Sequence, residues 1–325
     1  MKRLIALLST VFVVASLFVV ALLSGCGSDS QTAENSQVDK PPKPAEAPND
    51  PSDATETSQE PPKAPPPSTI TTEEQLKAAL KEKNVNFSGQ LETGIDGGQI
   101  LAVRINDPAV EDISPLAGLP LTVLDLAGCH ITNIDALKGM PLAVLYLAET
   151  GVSDLSPLKG MPLRQFHADH TPVADLSPLK GAPMLEELNL ISSRVKDLKP
   201  LEGMPQLKML WITGCPVSDV SPLANVRSLV SLTAAKTKIA DLGPLKGHPL
   251  ERLHIAESAV TDLTPVQWMR LTRLIFTPKR IEKGIEFARE SKTIREIDVE
   301  FPAPRGGQPM GPAAFWSRYD AGAFK

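Results

Sequence analysis

Apolar positions through the middle of the chain recur with a fixed step. From Leu121 the spacing reads Leu121-x-x-Leu124-x-Leu126-x-x-Cys129-x-Ile131. It returns as Leu142, Leu145, Leu147, Thr150, Val152, and continues to Leu250, Leu253, Ile255, Ser258, Val260. A second block, Asp154-Leu155-Ser156-Pro157-Leu158-Lys159-Gly160-Met161-Pro162-Leu163, keeps register with it. Its first residue recurs as Asp112, Asn133, Asp154, Asp175, Asp197, Asp219, Asp241 and Asp262, at intervals of 21, 21, 21, 22, 22, 22 and 21 residues. Alternating leucines predict a short strand with one buried face, and stacked copies predict a continuous parallel sheet. Ser-Pro predicts the start of a single helical turn, the hydroxyl as cap and the ring with no amide to satisfy, while Gly160 and Pro162 stop it. By that logic Gly243, in place of the serine, weakens the cap, and Thr264 does not.

The flanks follow other rules. Residues 71–82 read as a helix, with Thr71 able to cap it, Glu73 and Glu74 at its positive end and lysines after them. Strands are expected over 87–92 and 99–105, joined at Asp96-Gly97-Gly98. Helix and hairpin together would cover the apolar end of the array. Beyond Pro278 the period breaks; 279–290 reads as a helix and Ile294-x-x-Ile297-x-Val299 as a ninth strand of the array.

Eight in-register copies over 112–278, roughly half of the chain, resemble the short bacterial 21 to 22 residue class of leucine-rich repeats, with the Asp-Leu-Ser-Pro-Leu turn also seen in internalin-type repeats. The resemblance implies an α/β solenoid: an arc with a parallel sheet on its concave face, short 3₁₀ turns on its convex face, and caps at both ends. Residues 313–320, Ala-Ala-Phe-Trp-Ser-Arg-Tyr-Asp, resemble an aromatic tail found on some bacterial proteins of this class. Two readings of that tail stay open, a short helix folded back on the last repeats and an exposed docking peptide.

At the amino terminus Lys2 and Arg3 precede an apolar run over 4–23, closed by Leu23-Ser24-Gly25-Cys26. The tetrad resembles a bacterial lipobox, which implies lipid on Cys26 and removal of 1–25. The competing reading is a retained spanning helix, since about 20 apolar residues cross a bilayer; small residues directly before a cysteine favour the lipoprotein. Both tether the chain to a membrane. Ten prolines fall between Pro41 and Pro67, amid acidic and small polar residues, so 26–69 reads as a disordered spacer. The expected organisation is therefore 1–25 signal peptide, 26–69 spacer, 70–111 amino-terminal cap, 112–278 repeats, 279–300 carboxyl-terminal cap and 301–325 connector and tail.

Charge excludes one class of function. The formal net charge is −5. Loss of Lys2 and Arg3 makes it −7, and the linker, with eight acidic and three basic residues between Gly27 and Thr69, carries −5 of that. The folded part, near −2, offers no concentrated basic face for nucleic acid.

The recurring aspartates read as Asx turns, not as a calcium stripe, because one carboxylate per rung cannot supply six to eight converging oxygens. Cys129 and Cys215 share a column with Thr150, Thr171, Ser193, Thr237 and Ser258. Four rungs at about 4.8 Å place them roughly 19 Å apart, beyond disulfide reach, so both are expected as buried free thiols. His167-Ala168-Asp169-His170 has the look of metal spacing, but His170 begins a turn and His254 lies four rungs away, so no metal is assigned. No nucleophile elbow, phosphate loop, zinc-protease helix or kinase motif is present, so no catalytic residue and no cofactor is expected.

Candidate chemistry sits in the column that varies. The middle residue of each Leu-x-Leu reads Asp125, Tyr146, His167, Asn189, Trp211, Thr233, His254 and Ile275, flanked by Gln165, Asp169, Glu187, Met209, Arg252 and Glu257. Aromatic, Met and Arg side chains on a rigid curved surface have the composition of an interaction hot spot; the bland alternative is that Tyr146 and Trp211 only cover sheet backbone. The expectation is a monomeric, non-enzymatic recognition module on the extracytoplasmic side of a bacterial membrane, binding a protein or peptide ahead of a glycan. Two alternatives are an envelope scaffold without a ligand and a sensor partner of a signalling kinase.

Overall fold

The computed structural model describes residues 68–300 and 309–324. The segments expected as signal peptide and spacer, up to residue 67 and including Cys26, and the 301–308 part of the expected connector lie outside the described residues.

Helix α1, Glu73–Lys83, is capped by Thr72, not Thr71. Thr72 Oγ1 accepts from Gln75 N at 3.2 Å, and Gln75 Oε1 accepts in return from Thr72 N at 3.2 Å and Thr71 N at 2.8 Å. This reciprocal box selects the threonine three residues before a glutamine. Leu76 and Leu80 are fully buried on one face. The helix stops at Asn84, whose amide is shared with the first repeat: Nδ2 donates to Leu80 O and Asp112 O, and Oδ1 accepts from Glu111 N and Asp112 N at 2.9 Å each.

The hairpin pairs β1, Glu92–Asp96, with β2, Gln99–Arg104. The first strand was expected over 87–92. Gly97 and Gly98 both have positive φ, +57° and +77°, which makes a two-residue turn with Asp96 opposite Gln99, so the strand abuts the turn. Phe87 is buried in the apolar core.

Nine three-residue strands then add in order: β3, Val123–Asp125; β4, Val144–Tyr146; β5, Gln165–His167; β6, Glu187–Asn189; β7, Met209–Trp211; β8, Ser231–Thr233; β9, Arg252–His254; β10, Arg273–Ile275; β11, Glu296–Asp298. All eleven strands form one sheet in sequence order, parallel except for the hairpin. The middle residue of each repeat strand, leucine everywhere but Phe166, points inward and is essentially fully buried from Leu124 to Leu274. At about 1.5–3 kcal/mol for each such side chain, this spine is a leading stabilising contribution. One apolar core runs unbroken from Leu76 to Trp316.

Each rung turns back through a single 3₁₀ turn such as Ser156–Leu158. The serine is not its cap. Asp154 Oδ1 accepts from Ser156 N at 2.8 Å, and Ser156 Oγ donates to Asp154 Oδ2 at 2.8 Å. The aspartate two residues earlier thus satisfies the orphan amide, as an Asx turn. Gly243 keeps this arrangement, donating to Asp241 Oδ1 at 2.7 Å, and loses only the side-chain bond.

Inside the arc the second polar column is tied to backbone. Thr150 Oγ1 donates to Leu147 O at 2.7 Å, with equivalent bonds from Thr171, Thr237 and Ser258. Cys129 and Cys215 are free and buried. Their thiols donate to the preceding rung, at Ile105 O and Leu190 O, and Ser193 Oγ lies 3.3 Å from Cys215 Sγ. Burial pushes the Cys129 thiol up to about 11.

The carboxyl end departs from expectation in one respect. Helix α2 covers only Ile285–Glu290, because Gly284 at φ +80° breaks the run, where an added Cβ would meet Thr264 N at 2.8 Å. Strand β11 follows. Helix α3, Pro312–Asp320, folds back: Ile297 N donates to Met310 O at 2.9 Å, Phe315 is fully buried 5.9 Å from the Phe276 ring, and the Arg289 guanidinium lies 4.9 Å from the Trp316 ring centre. With Phe315 and Trp316 committed to the last rungs, these two aromatics close the array.

Candidate ligand-binding face

Because strand side chains alternate, the residues on either side of each buried leucine face the concave side. Pairing places Arg104, Asp125, Tyr146, His167, Asn189, Trp211, Thr233, His254, Ile275 and Asp298 in one row across the sheet. The parallel row before it includes Gln165, Glu187, Met209, Ser231 and Arg252.

The two rows are not uniformly open. Tyr146, Asn189, Met209, Trp211, Thr233 and Arg252 are half-exposed, whereas Asp125, His167 and His254 are buried. Ile275 is fully buried and clusters with Ala235 and Ala256, so it belongs to a small satellite core. The candidate face is therefore centred on β4 to β7.

At the first rung Asp125 Oδ2 is 3.3 Å from Arg104 Nε and its Oδ1 accepts from Ala127 N at 3.1 Å. Burial raises its pKa, opposed by Ala127 N–H and Arg104. Sequence reasoning missed Arg104 because it stands in the hairpin, outside the repeats; extending the register one rung backward would have found it.

Tyr146 and His167 lie 4.7 Å apart, centroid to centroid, and His167 and Trp211 6.1 Å apart. His167 is 7% exposed, and its Nε2 is buried with no hydrogen-bond partner. Burial pushes the imidazole down to about 4, so it is neutral at physiological pH, and pushes the Tyr146 phenol up to about 12, with Asp125 and Glu187 adding to that rise. Asn189 is fixed from both ends: Nδ2 donates to Asp169 Oδ1 at 3.0 Å and Oδ1 accepts from Ile191 N at 3.1 Å. Gln165 Nε2 donates to Glu187 Oε1 at 3.1 Å. Farther along, burial first and then the charges of Arg273 and Lys236 push His254 down to about 4.

His170 does not join His167. It sits at φ +55° in the turn leaving the strand, exposed, its amide aimed at Ile191 O on the next rung. Glu149, Ser192, Lys236 and Glu257 occupy the equivalent left-handed position, which turns the chain while keeping the ladder bonded. Among the described residues no group of three His, Cys, Asp or Glu side chains converges as a metal site.

A sheet of three-residue parallel strands, each followed by an Asx-initiated 3₁₀ turn at a period of 21 or 22 residues, decides the architecture. The fold is a leucine-rich-repeat solenoid. A family model described as Leucine Rich repeats (2 copies) matches residues 183–225. Among solved structures, internalin C2 of Listeria monocytogenes is similar at 25% identity and a TM-score of 0.53, covering 64% of this chain and 95% of that one. An internalin, inlF, of the same species is similar at 20% identity and a TM-score of 0.40, covering 76% and 96%. A leucine-rich-repeat protein of Leptospira interrogans is similar at 20% identity and a TM-score of 0.46, covering 57% and 50%. No curated protein gives a match. Leucine-rich-repeat solenoids commonly act as protein-interaction modules through their extended concave surfaces, and typically without catalysis.

Proposed function

We propose that this protein is a non-enzymatic recognition module, held by lipid on Cys26 at the extracytoplasmic side of a bacterial membrane, whose concave sheet binds a protein or peptide. The observation that carries the reading is the half-exposed pair Tyr146 and Trp211 on either side of buried His167, on a face whose backbone is already bonded strand to strand. Covering that backbone requires no aromatic ring; rigid aromatic anchors at the middle of a curved surface are what an interface hot spot uses. The family's common use of this face and the likeness to internalin C2 support the same direction. The proline-rich sequence that follows Cys26 is in keeping with a module set apart from its anchor.

The test is photo-crosslinking in the native cell from position 211, with Lys180 on the convex side as control. A discrete adduct specific to position 211 supports the proposal. The same abundant envelope neighbours from both positions would instead support a scaffold without a ligand.

A further inference from the structure

Two carboxylates, Asp169 and Glu187, flank the aromatic row, and neither closes an ion pair among the described residues. Glu187 begins β6 opposite Gln165, two residues before Asn189, and Asp169 follows His167 by two residues, so they approach the His167–Asn189 pair from opposite ends of the strands. Several other acidic groups near this face are paired, although exposed Glu149, whose charge also bears on Asp169, is not paired among the described residues. Asp125 has Arg104 at 3.3 Å, Glu257 has Lys236 at 3.6 Å, and Glu186 bridges Arg164 at 2.9 Å and Lys208 at 2.7 Å. Asp169 and Glu187 form no ion pair among the described residues; each holds only a neutral amide, from Asn189 and Gln165.

Burial raises the pKa of both, opposed at Glu187 by the Gln165 amide and the Lys208 charge and at Asp169 by a backbone hydrogen bond and His170. Their field reaches the aromatic row, since Glu187 adds to the rise at the Tyr146 phenol. A second observation is independent of charge. His167 Nε2 is a polar atom of a side chain more than nine-tenths buried and has no partner, although nearly all such atoms in folded proteins have one. The rings that cover it, Tyr146 and Trp211, are half-exposed on the surface and present π faces, which attract cations.

We propose that the concave face between β4 and β7 recognises a cationic side chain, Lys or Arg, carried on an extended segment of a protein partner. The assignment rests on the recognition reading above and names the chemistry of its ligand. The cation lies over the Trp211 or Tyr146 ring, Glu187 and Asp169 supply countercharge from the two flanks, and rotation of one ring lets the neutral imidazole accept a hydrogen bond at Nε2. An acidic partner or an anionic glycan would meet two carboxylates that lack an ion-pair partner instead.

The experiment uses the full chain and fluorescence anisotropy with labelled nine-residue peptides, identical except for a central Arg, Lys, norleucine or Glu in a Gly-Ser background. Arg and Lys peptides are expected to bind about five- to tenfold tighter than norleucine, within the range of a cation over an aromatic ring, and Glu most weakly. Glu187→Gln combined with Asp169→Asn should reduce that preference to within about twofold at nearly unchanged melting temperature, since both side chains are only half-buried and the amide oxygens of Gln and Asn can still accept from Gln165 and Asn189. Equal or tighter binding of the norleucine or Glu peptide, no binding of any peptide, or a preference that survives in the double variant overturns the assignment. Partner crosslinking from position 211 that persists in the double variant would leave the recognition reading standing while the cation assignment falls; loss of both sinks the two together.

Discussion

The Tyr146 ring lies 4.7 Å from the His167 imidazole, tilted by 40°, and with Trp211 on the other side it helps leave Nε2 buried and without a partner. One titration follows from that cover. His167 is pushed from 6.5 down to about 4 by burial. Between those values the unfolded chain holds a proton that the folded chain excludes, so stability is complete above about pH 6.5 and declines as pH falls toward 4. The full effect is on the order of 3 kcal/mol. Urea midpoints at pH 7.5 and 4.5 should therefore differ more in the native protein than in His167→Phe, with His254 retaining part of the slope in both. An NMR titration placing the His167 midpoint near 6.5 would contradict this burial.

Asp154 bears the cap of its 3₁₀ turn, and Ser156 only supplements it. Asp154→Ala should lower Tm by about 2–4 °C, the typical effect of losing a cap in a domain of this size. Ser156→Ala, which leaves the backbone bond intact, should cost less than half as much. Equal losses would return the capping role to the serine.

The tail helix closes the last rung through Phe315, fully buried against Phe276. Phe315→Ala should destabilise the fold by about 3–5 kcal/mol, the usual cost of emptying a buried phenylalanine site. Thermal or urea denaturation reads this directly. A loss below about 1 kcal/mol would mean that the tail is not seated.

Much of the fold was legible because the solenoid applies one local rule on every rung: the leucine spacing and the Asp anchors define the register from Leu121 to Ile275, and the strands follow it. Errors cluster where the rule stops. The helix cap moved by one residue to Thr72 because Gln75 selects it, the first strand slid to the Gly97-Gly98 turn, and Gly284 cut the helix expected over 279–290. Within the repeat the capping oxygen is the aspartate's, a choice between two polar groups two residues apart that spacing alone does not resolve. The face itself was readable as a row of residues but not as a surface. Exposure at each rung depends on neighbours a full repeat away: Tyr146 and Trp211 flank His167, while Ile275 sinks beside Ala235 and Ala256. Arg104, which neutralises Asp125, stands before the first repeat and outside the pattern.

The recognition role of the concave face is tested most directly by partner capture with Trp211→Ala and Tyr146→Ala, each compared with the native protein at matched folding. Truncating a hot-spot aromatic typically costs about 2 kcal/mol or more, roughly a thirtyfold loss of affinity. Capture should fall by that order in either variant while Tm stays within about 2 °C, since neither ring belongs to the leucine core that holds the solenoid together. Undiminished capture by both variants would remove this face as the binding site.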